Sequence, residues 1–240
     1  MAEAEAMYRR ALEGYEKAWG QEHTSTLDTV HNLGAFYADQ GKMAEAEAMY
    51  RRALEGYEKA WGPEHTSTLG TVHDLAVVYA GQGKMAEAEA MFRWALEGYE
   101  KAWGPEHTST LGMVHHLAVL YKDQGKMAEA EAMYRRTLEG KEKAWGPEYT
   151  STLATEKAWG PEHTSTLDTV NNLGNLYADQ GKMAEAEAMF RRALEGYEKA
   201  WGPEHTSTLD TVHSLGVLYR DQGKMAEAEA MFRRVRNEKS

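Results

Sequence analysis

Apolar residues recur along this chain at steps of three and four residues, which is the spacing of one face of an α-helix. In the segment from Thr164 to Gly181 these positions are Leu167, Val170, Leu173, Leu176 and Tyr177. We expect the Ser and Thr at its start to accept free backbone N–H groups, and Gly181 to end the helix in a left-handed conformation. A helix of this sequence is called a first-type helix below.

A different segment, Met183–Trp201, follows directly and reads MAEAEAMFRRALEGYEKAW. Its Ala, Glu, Arg and Leu residues favour helix. Gly202 and Pro203 end it, because proline cannot continue the hydrogen-bond ladder. We call this a second-type helix. The sequence shows no alternating strand pattern, so it predicts an all-α fold in which the two helix types alternate.

Both segments recur along the chain. The string MAEAEAM begins at Met1, Met43, Met85, Met127, Met183 and Met225, at intervals of 42 residues apart from one interval of 56. The longer interval holds a tandem duplication, because Glu142–Thr155 repeats Glu156–Thr169 with two differences. A single helix pair cannot bury its apolar face alone, so repeated pairs are expected to stack into an α-solenoid with one 14-residue insertion.

This organisation predicts four parts of the chain. They are a second-type helix without a first-type partner (1–22), three tandem helix pairs (23–145), the inserted segment (146–163), and two further pairs with a polar tail (164–240). The insertion is expected to form a short helix over Ser151–Trp159 and to break the regular stacking. Lys141 stands where the other units have Tyr, and we expect a tyrosine contact with the next repeat to be lost there.

The first helix has no preceding repeat in this chain. Its apolar residues Met7, Tyr8, Leu12 and Tyr15 are therefore expected to lie uncovered. Self-association, or a further segment before Met1, would each cover them.

The spacing of Val170, Leu173, Gly174, Tyr177, Ala186, Phe190 and Ala193 resembles the tetratricopeptide repeat. The 42-residue form resembles the repeats of kinesin light chains, and is similar also to C-terminal arrays of fungal and bacterial signal-transducing NTPases. The resemblance implies a superhelix whose first-type helices line a concave groove that binds peptides. The chain contains neither the heptad coiled coil of kinesin light chains nor a phosphate-binding loop.

Differences between the units concentrate in the first-type helices, in four rows of equivalent positions. Row 1 is His31, His73, His115, Asn171 and His213, and row 2 is Asn32, Asp74, His116, Asn172 and Ser214. Row 3 is Ala35, Val77, Val119, Asn175 and Val217, and row 4 is Ala38, Ala80, Lys122, Ala178 and Arg220. A binding groove would show this pattern if its supporting residues were the same in every unit and its ligand-contacting residues differed. Drift at solvated positions after recent duplication would show it as well.

The candidate peptide-binding residues are the polar members of these rows. They are His31, Asn32, His73, Asp74, His115, His116, Lys122, Asn171, Asn172, Asn175, His213 and Arg220. In kinesin light chains the Asn pair that Asn171 and Asn172 match contacts peptide, so the resemblance implies that role here. A clamp for a C-terminal carboxylate is not expected, since only Lys122 and Arg220 are basic. We also hypothesise that protonation of the groove histidines strengthens binding of an acidic peptide, although solvated bystander histidines would have no such effect.

Composition excludes several kinds of chemistry. The chain has no cysteine and a formal charge of −11, which excludes thiol catalysis and disfavours general nucleic-acid binding. A Glu-His pair recurs in the turn before every first-type helix, which favours a structural role for these histidines in capping and turn packing. We expect no catalytic, cofactor or metal site, no membrane segment and no secretory signal, and therefore a cytoplasmic protein.

Taken together, the sequence predicts a non-catalytic protein–protein interaction module that binds a peptide or protein segment, as the recognition or scaffold part of a larger protein. A kinesin-light-chain-like cargo adaptor and the sensor array of a signal-transducing NTPase remain as alternatives. An engineered consensus repeat is a further alternative, which the untidy duplication disfavours.

Overall fold

The computed structural model describes residues 2–143 and 163–237. These residues form eleven helices and no strand. The helices are α1 (Ala2–Trp19), α2 (Thr24–Asp39), α3 (Met43–Trp61), α4 (Thr66–Gly81), α5 (Met85–Trp103), α6 (Thr108–Asp123), α7 (Met127–Lys143), α8 (Thr164–Asp179), α9 (Met183–Trp201), α10 (Thr206–Asp221) and α11 (Met225–Asn237). The all-α prediction is confirmed. The predicted short helix over 151–159 lies outside the described residues.

The chain divides into two compact units, Met1–Leu120 and Tyr121–Ser240, and the boundary falls inside α6. In the first unit α2 pairs with α3 and α4 pairs with α5, while α1 packs on α2 and α3 packs on α4. In the second unit α8 pairs with α9 and α10 pairs with α11, while α7 packs on α8 and α9 packs on α10. Within each unit the fold is therefore a solenoid of helix pairs.

Equivalent residues form the apolar core of the two units. The core of the first unit contains Leu27, Val30, Ala53 and Tyr57, and that of the second contains Leu167, Val170, Ala193 and Tyr197. The three- and four-residue spacing predicted Leu167 and Val170 for this core, and Ala193 is one of the residues that carry the repeat resemblance. Tyr197 was not predicted.

The helix ends follow the predictions for glycine but not for Ser and Thr. Gly181 follows α8 with φ of 73°, and Gly202 follows α9 with φ of 86°, both in the left-handed region. At the start of α8 the capping acceptor is His163, whose Nδ1 accepts from the backbone N–H of Ser165 at 3.2 Å. The expectation that Ser and Thr supply the cap is therefore wrong, because the histidine occupies the N-cap position.

The same histidine cap begins the other first-type helices that follow a turn. His23, His65, His107 and His205 each accept from the backbone N–H of the serine two residues later, at 3.2 to 3.3 Å. The preceding tryptophan packs on the imidazole, with ring centroids 4.5 Å apart for Trp61 and His65. The structural role predicted for the repeated Glu-His pair is confirmed for these histidines.

The contact between α7 and α8 contradicts two expectations about the insertion. Arg135 donates to the Tyr177 hydroxyl at 2.8 Å and Lys182 donates to Glu131 at 2.8 Å. The equivalent bonds join α9 to α10, from Arg191 to the Tyr219 hydroxyl and from Lys224 to Glu187. The next repeat is therefore not displaced, since α8 packs on α7 through the same contacts that join regular neighbours.

Lys141 also behaves differently from the expectation. The tyrosines at its position bond to the preceding first-type helix, where the hydroxyls of Tyr57 and Tyr197 donate to Asp28 and Asp168. Lys141 instead reaches the following helix. Its Nζ donates to the Ser165 carbonyl at 2.8 Å, the Ser165 hydroxyl at 2.7 Å and the Thr169 hydroxyl at 3.0 Å. The substitution thus adds a contact between α7 and α8.

Two smaller expectations about the chain's first and last helices need correction. Of the four apolar residues on α1, Leu12 packs against the core of the first unit and Tyr8 lies 5.6 Å from the Phe36 ring, so α2 covers both. At the other end, α11 continues to Asn237, so residues 235–237 of the expected polar tail are helical.

Candidate functional site

The variable rows lie along the first-type helices of each unit. In the first unit these are α2, α4 and most of α6, and in the second unit they are the end of α6, α8 and α10. Among the candidate residues, Asn32, His213 and Arg220 are exposed. The others are half-buried, namely His31, His73, Asp74, His115, His116, Lys122, Asn171, Asn172 and Asn175. Partial burial means that most of these side chains have protein neighbours as well as solvent.

A carboxylate held by two imidazoles is the main feature of the surface in the first unit. His31 Nε2 donates to Asp74 Oδ2 at 2.9 Å, and His73 Nδ1 donates to Asp74 Oδ1 at 3.0 Å. Burial by itself would raise the pKa of Asp74, but the hydrogen bonds from the two histidines outweigh it and lower the pKa to about 2. Asp74 is therefore ionised at neutral pH.

Aromatic rings from the second-type helices lie beneath these polar groups. The His31 ring lies 5.2 Å from that of Tyr50, and the His73 ring lies 5.8 Å from that of Phe92. The His116 ring is parallel to Phe92 at 5.9 Å and lies 4.6 Å from the His73 ring. His31 and His73 are thus packed and hydrogen-bonded residues, and the description of solvated bystanders is wrong for both.

The geometry places no metal centre among these histidines. Within residues 2–143 and 163–237, no group of three His, Cys, Asp or Glu residues is placed to hold a metal ion. His115 and His116 are adjacent in sequence, and their rings lie 6.1 Å apart at 80°. The cluster can donate hydrogen bonds and present ring faces to a ligand.

The second unit has an open cavity of about 220 Å³ between α8, α9 and α10. Met183, Phe190 and Leu218 contribute apolar lining, while Asn175 and His213 contribute polar groups. An apolar side chain could enter such a cavity while the amide of Asn175 bonds to a backbone. Asn171 lies beside it in row 1, where its Oδ1 accepts from the Thr211 hydroxyl at 3.4 Å.

Both basic residues in row 4 are already paired with carboxylates. Lys122 Nζ lies 3.2 Å from Asp179 Oδ2, and an Arg220 guanidinium nitrogen lies 2.9 Å from Asp221 Oδ1. Each cation is neutralised locally, which supports the expectation that this surface is no carboxylate clamp.

Sequence comparison of the units missed two parts of this surface. Each row compares one position across the units, but the contacts join different positions. A residue of row 1 bonds to a residue of row 2 in the next unit, as His31 does to Asp74. An offset of 43 residues, one more than the repeat, would have indicated this pairing. The aromatic and methionine residues beneath the rows were missed because they hardly vary between units.

Comparison with protein families now identifies the repeat. Models described as tetratricopeptide repeat match residues 1–59, 25–101 and 165–237, and a further model with the same description matches residues 110–148. The chain belongs to the tetratricopeptide repeat family. Members of this family are generally non-catalytic, and they serve as protein-interaction scaffolds. A search of curated proteins finds no significant match.

Solved structures place the chain near the kinesin-light-chain-like branch. The TPR-like repeats of a candidate kinesin light chain from Podosopora anserina are 26% identical, with a TM-score of 0.71 over 90% of this chain and 96% of that one. BtubC (BKLC) from P. vanneervenii has a TM-score of 0.77 and 22% identity, over 98% of this chain and 89% of that one. The apo quorum sensor NprR from B. thuringiensis, at 16% identity, shares the fold with a TM-score of 0.71 over 99% of this chain and 61% of that one. The resemblance to a kinesin-light-chain-like tetratricopeptide protein is thus confirmed.

None of the described helices combines the length and apolar character that a bilayer crossing requires.

Proposed function

We propose that the chain binds an extended peptide or protein segment along its first-type helices, without catalysing a reaction. The observation that carries this proposal is the cavity of about 220 Å³ in the second unit. Its apolar lining suits a large apolar side chain, and the amides of Asn171, Asn172 and Asn175 lie at intervals that suit a peptide backbone.

Two more specific functions are alternatives to a free-standing recognition module. A cargo adaptor of the kinesin-light-chain kind is favoured by the likeness to the Podosopora anserina repeats. A sensor array attached to an NTPase would use the same surface to read a ligand. The acidic composition supports a protein partner over a nucleic acid in every case, and a cytoplasmic location stays a prediction.

The experiment that tests the binding site starts from a random peptide library displayed against the full chain. Enriched peptides are synthesised, and their affinity is measured by calorimetry. We expect Asn175→Ala to weaken binding by about tenfold, since one buried hydrogen bond is worth about 1.4 kcal/mol at that ratio.

The matched control is Gln21→Ala, which removes an exposed side-chain amide from the turn before α2, outside the four rows. It should leave the affinity unchanged. Peptides that bind both variants as tightly as the original chain would show that the cavity is not the binding site.

A further inference from the structure

One face of α1 is exposed although its counterparts on other second-type helices are buried. The face consists of Met7, Ala11, Gly14 and Tyr15, and is called the α1 face below. Tyr15 is 37% exposed, whereas Tyr57 at the same position of α3 is 3% exposed. Ala11 is exposed as well, whereas Ala53 is fully buried. The difference arises because each counterpart packs against a first-type helix that α1 lacks.

The contact that covers this face elsewhere is specific. In three described pairs a leucine of the first-type helix packs directly on a glycine of the second-type helix. The pairs are Leu27 on Gly56, Leu69 on Gly98 and Leu167 on Gly196, and a Cβ on any of these glycines would lie 2.4 Å from the leucine. At Gly14 no atom lies within 4 Å of the equivalent point. The α1 face thus has the glycine without the leucine.

The opposite deficiency occurs at α10. Leu209 is the counterpart of Leu27, but it is only half-buried, whereas Leu27 is 1% exposed. Asp210 and its counterpart Asp28 are both exposed, and Asp28 accepts from the Tyr57 hydroxyl of the following second-type helix at 2.5 Å. The reason lies in the sequence that follows α10. The glycine and tyrosine positions fall at 238 and 239, where the chain has Glu and Lys.

The two deficiencies complement each other. The α1 face offers the glycine and tyrosine that α10 lacks, and α10 offers the leucine and aspartate that the α1 face lacks. The first ten residues of the chain, MAEAEAMYRR, match the first ten of α11, MAEAEAMFRR, except for Tyr8 in place of Phe232. An α1 helix can therefore make the contacts that α11 makes with α10, and then add those of its own later residues.

We propose that α1 of one copy binds α10 of a second copy in place of α11, and so joins the two copies head to tail. Leu209 would pack on Gly14, and the Tyr15 hydroxyl would donate to Asp210. The other face of α1 stays packed on α2 of its own copy. First-type and second-type helices therefore alternate without interruption from α10 of one copy through α1 and α2 of the other. Such a contact is heterologous and leaves an α1 face open at one end, so the assembly can extend beyond two copies.

The test uses the full chain, refolded at high concentration so that helix exchange is not kinetically prevented, and sedimentation velocity at a series of concentrations. We expect concentration-dependent oligomers. Gly14→Leu should lower the association constant at least about tenfold, because the new side chain fills the space that Leu209 needs. The variant should still fold, since Gly14 is exposed on a helix and leucine favours helix more than glycine does.

A second variant blocks the other side of the contact. Replacing Val235→Ala, Arg236→Leu, Glu238→Gly and Lys239→Tyr gives these four positions the residues of most other second-type helices. This chain should be monomeric and melt at a higher temperature, because its own α11 now covers Leu209. The control is Ala6→Leu, an exposed α1 position on another side of the helix from the face, which should associate like the original chain.

Cross-linking identifies the residues in contact. The chain has no cysteine, so a Gly14→Cys chain mixed with a Leu209→Cys chain, refolded together and oxidised, should give a disulfide-linked product of twice the chain mass. An Ala6→Cys chain mixed with the Leu209→Cys chain should not, because Ala6 faces away from the contact. A chain that remains monomeric at every concentration overturns the proposal. So do oligomers that survive both blocking variants, since these would indicate another interface such as α1 against α1.

Discussion

Lys141 carries a positive charge into the contact between α7 and α8. Its side chain is 2% exposed, and its three described acceptors are a carbonyl and two hydroxyl oxygens. Burial lowers the pKa of Lys141 to about 8, while the carboxylate of Asp168 opposes the shift. The folded chain therefore loses this proton at a lower pH than the unfolded chain, whose lysine has a pKa near 10.5.

The sign of the resulting pH dependence follows from this difference. Between pH 8 and about pH 10 the unfolded chain binds more protons at Lys141, so this residue makes stability rise with pH. Below pH 8 the buried charge costs stability. We expect Lys141→Met to stabilise the chain at pH 7 by about 3 kcal/mol at most, and this advantage to shrink by about 2 kcal/mol at pH 9.5. Urea unfolding at both pH values measures it.

The control for this prediction is Lys59→Met on α3, whose ammonium group is 57% exposed. Its effect on stability should be the same at both pH values. If the Lys141→Met difference is also independent of pH, the ammonium group is not desolvated as its contacts indicate.

The charge of Asp74, in contrast to that of Lys141, is stabilised by its neighbours, because two imidazoles donate hydrogen bonds to the carboxylate. The depressed pKa means that its contribution to stability is present above about pH 4 and lost as pH falls toward 2. We expect Asp74→Asn to cost about 1 kcal/mol at pH 7, because the amide can accept from only one imidazole and the site is partly exposed. The cost should disappear near pH 2. Chemical denaturation at the two pH values checks this, with the exposed Asp39→Asn as a variant that should cost nothing.

At the scale of single helices, the turn before each first-type helix acts as a unit. The imidazole of His65 caps α4 through Nδ1 and also packs on Trp61, which stacks on Tyr57 at 5.0 Å. One residue therefore joins the end of a second-type helix to the start of the next first-type helix. This structural role explains why the Glu-His pair recurs before every first-type helix.

The two roles of His65 can be separated by substitution. His65→Ala removes both the cap and the ring contact, and should cost about 1 to 2 kcal/mol. His65→Asp keeps a good N-cap acceptor and loses only the ring contact, so it should recover about 1 kcal/mol of that loss. Thermal unfolding of the two variants measures the difference. Equal losses for both variants would show that the contact with Trp61, and not the cap, is what stabilises the turn.

Helix boundaries and the core were predictable because they depend on local sequence. Met183–Trp201 is bounded by glycine and proline signals, and its helix has these limits. Contacts between helices were harder to predict, since they depend on which side chains meet across a pair. The bond between His31 and Asp74 joins residues from different rows, and the placement of Lys141 depends on the direction of its side chain. Neither direction nor cross-helix distance is readable from spacing along one helix.

At the scale of the whole chain, the 14-residue duplication is accommodated without loss of the α7–α8 contact. Four described residues carry bonds that recur at other junctions, namely Glu131, Arg135, Tyr177 and Lys182. These bonds lie on either side of the duplicated segment. The packing of the second unit is thus set by the repeat sequence of its helices, and the length of chain between α7 and α8 is secondary.

Deleting one copy of the duplication tests this conclusion. Removal of Glu142–Thr155 joins Lys141 directly to Glu156 and restores the 42-residue interval. We expect the shortened chain to keep its helix content and to change in stability by about 1 kcal/mol or less, because loop length affects closure entropy only weakly. The matched control removes Glu198–Thr211, which has the same length and nearly the same sequence but includes the end of α9 and the start of α10. That deletion should destroy the α9–α10 contact and lower the melting temperature strongly. If the two deletions destabilise the chain equally, the duplicated segment is part of the packed structure and the α7–α8 contact depends on it.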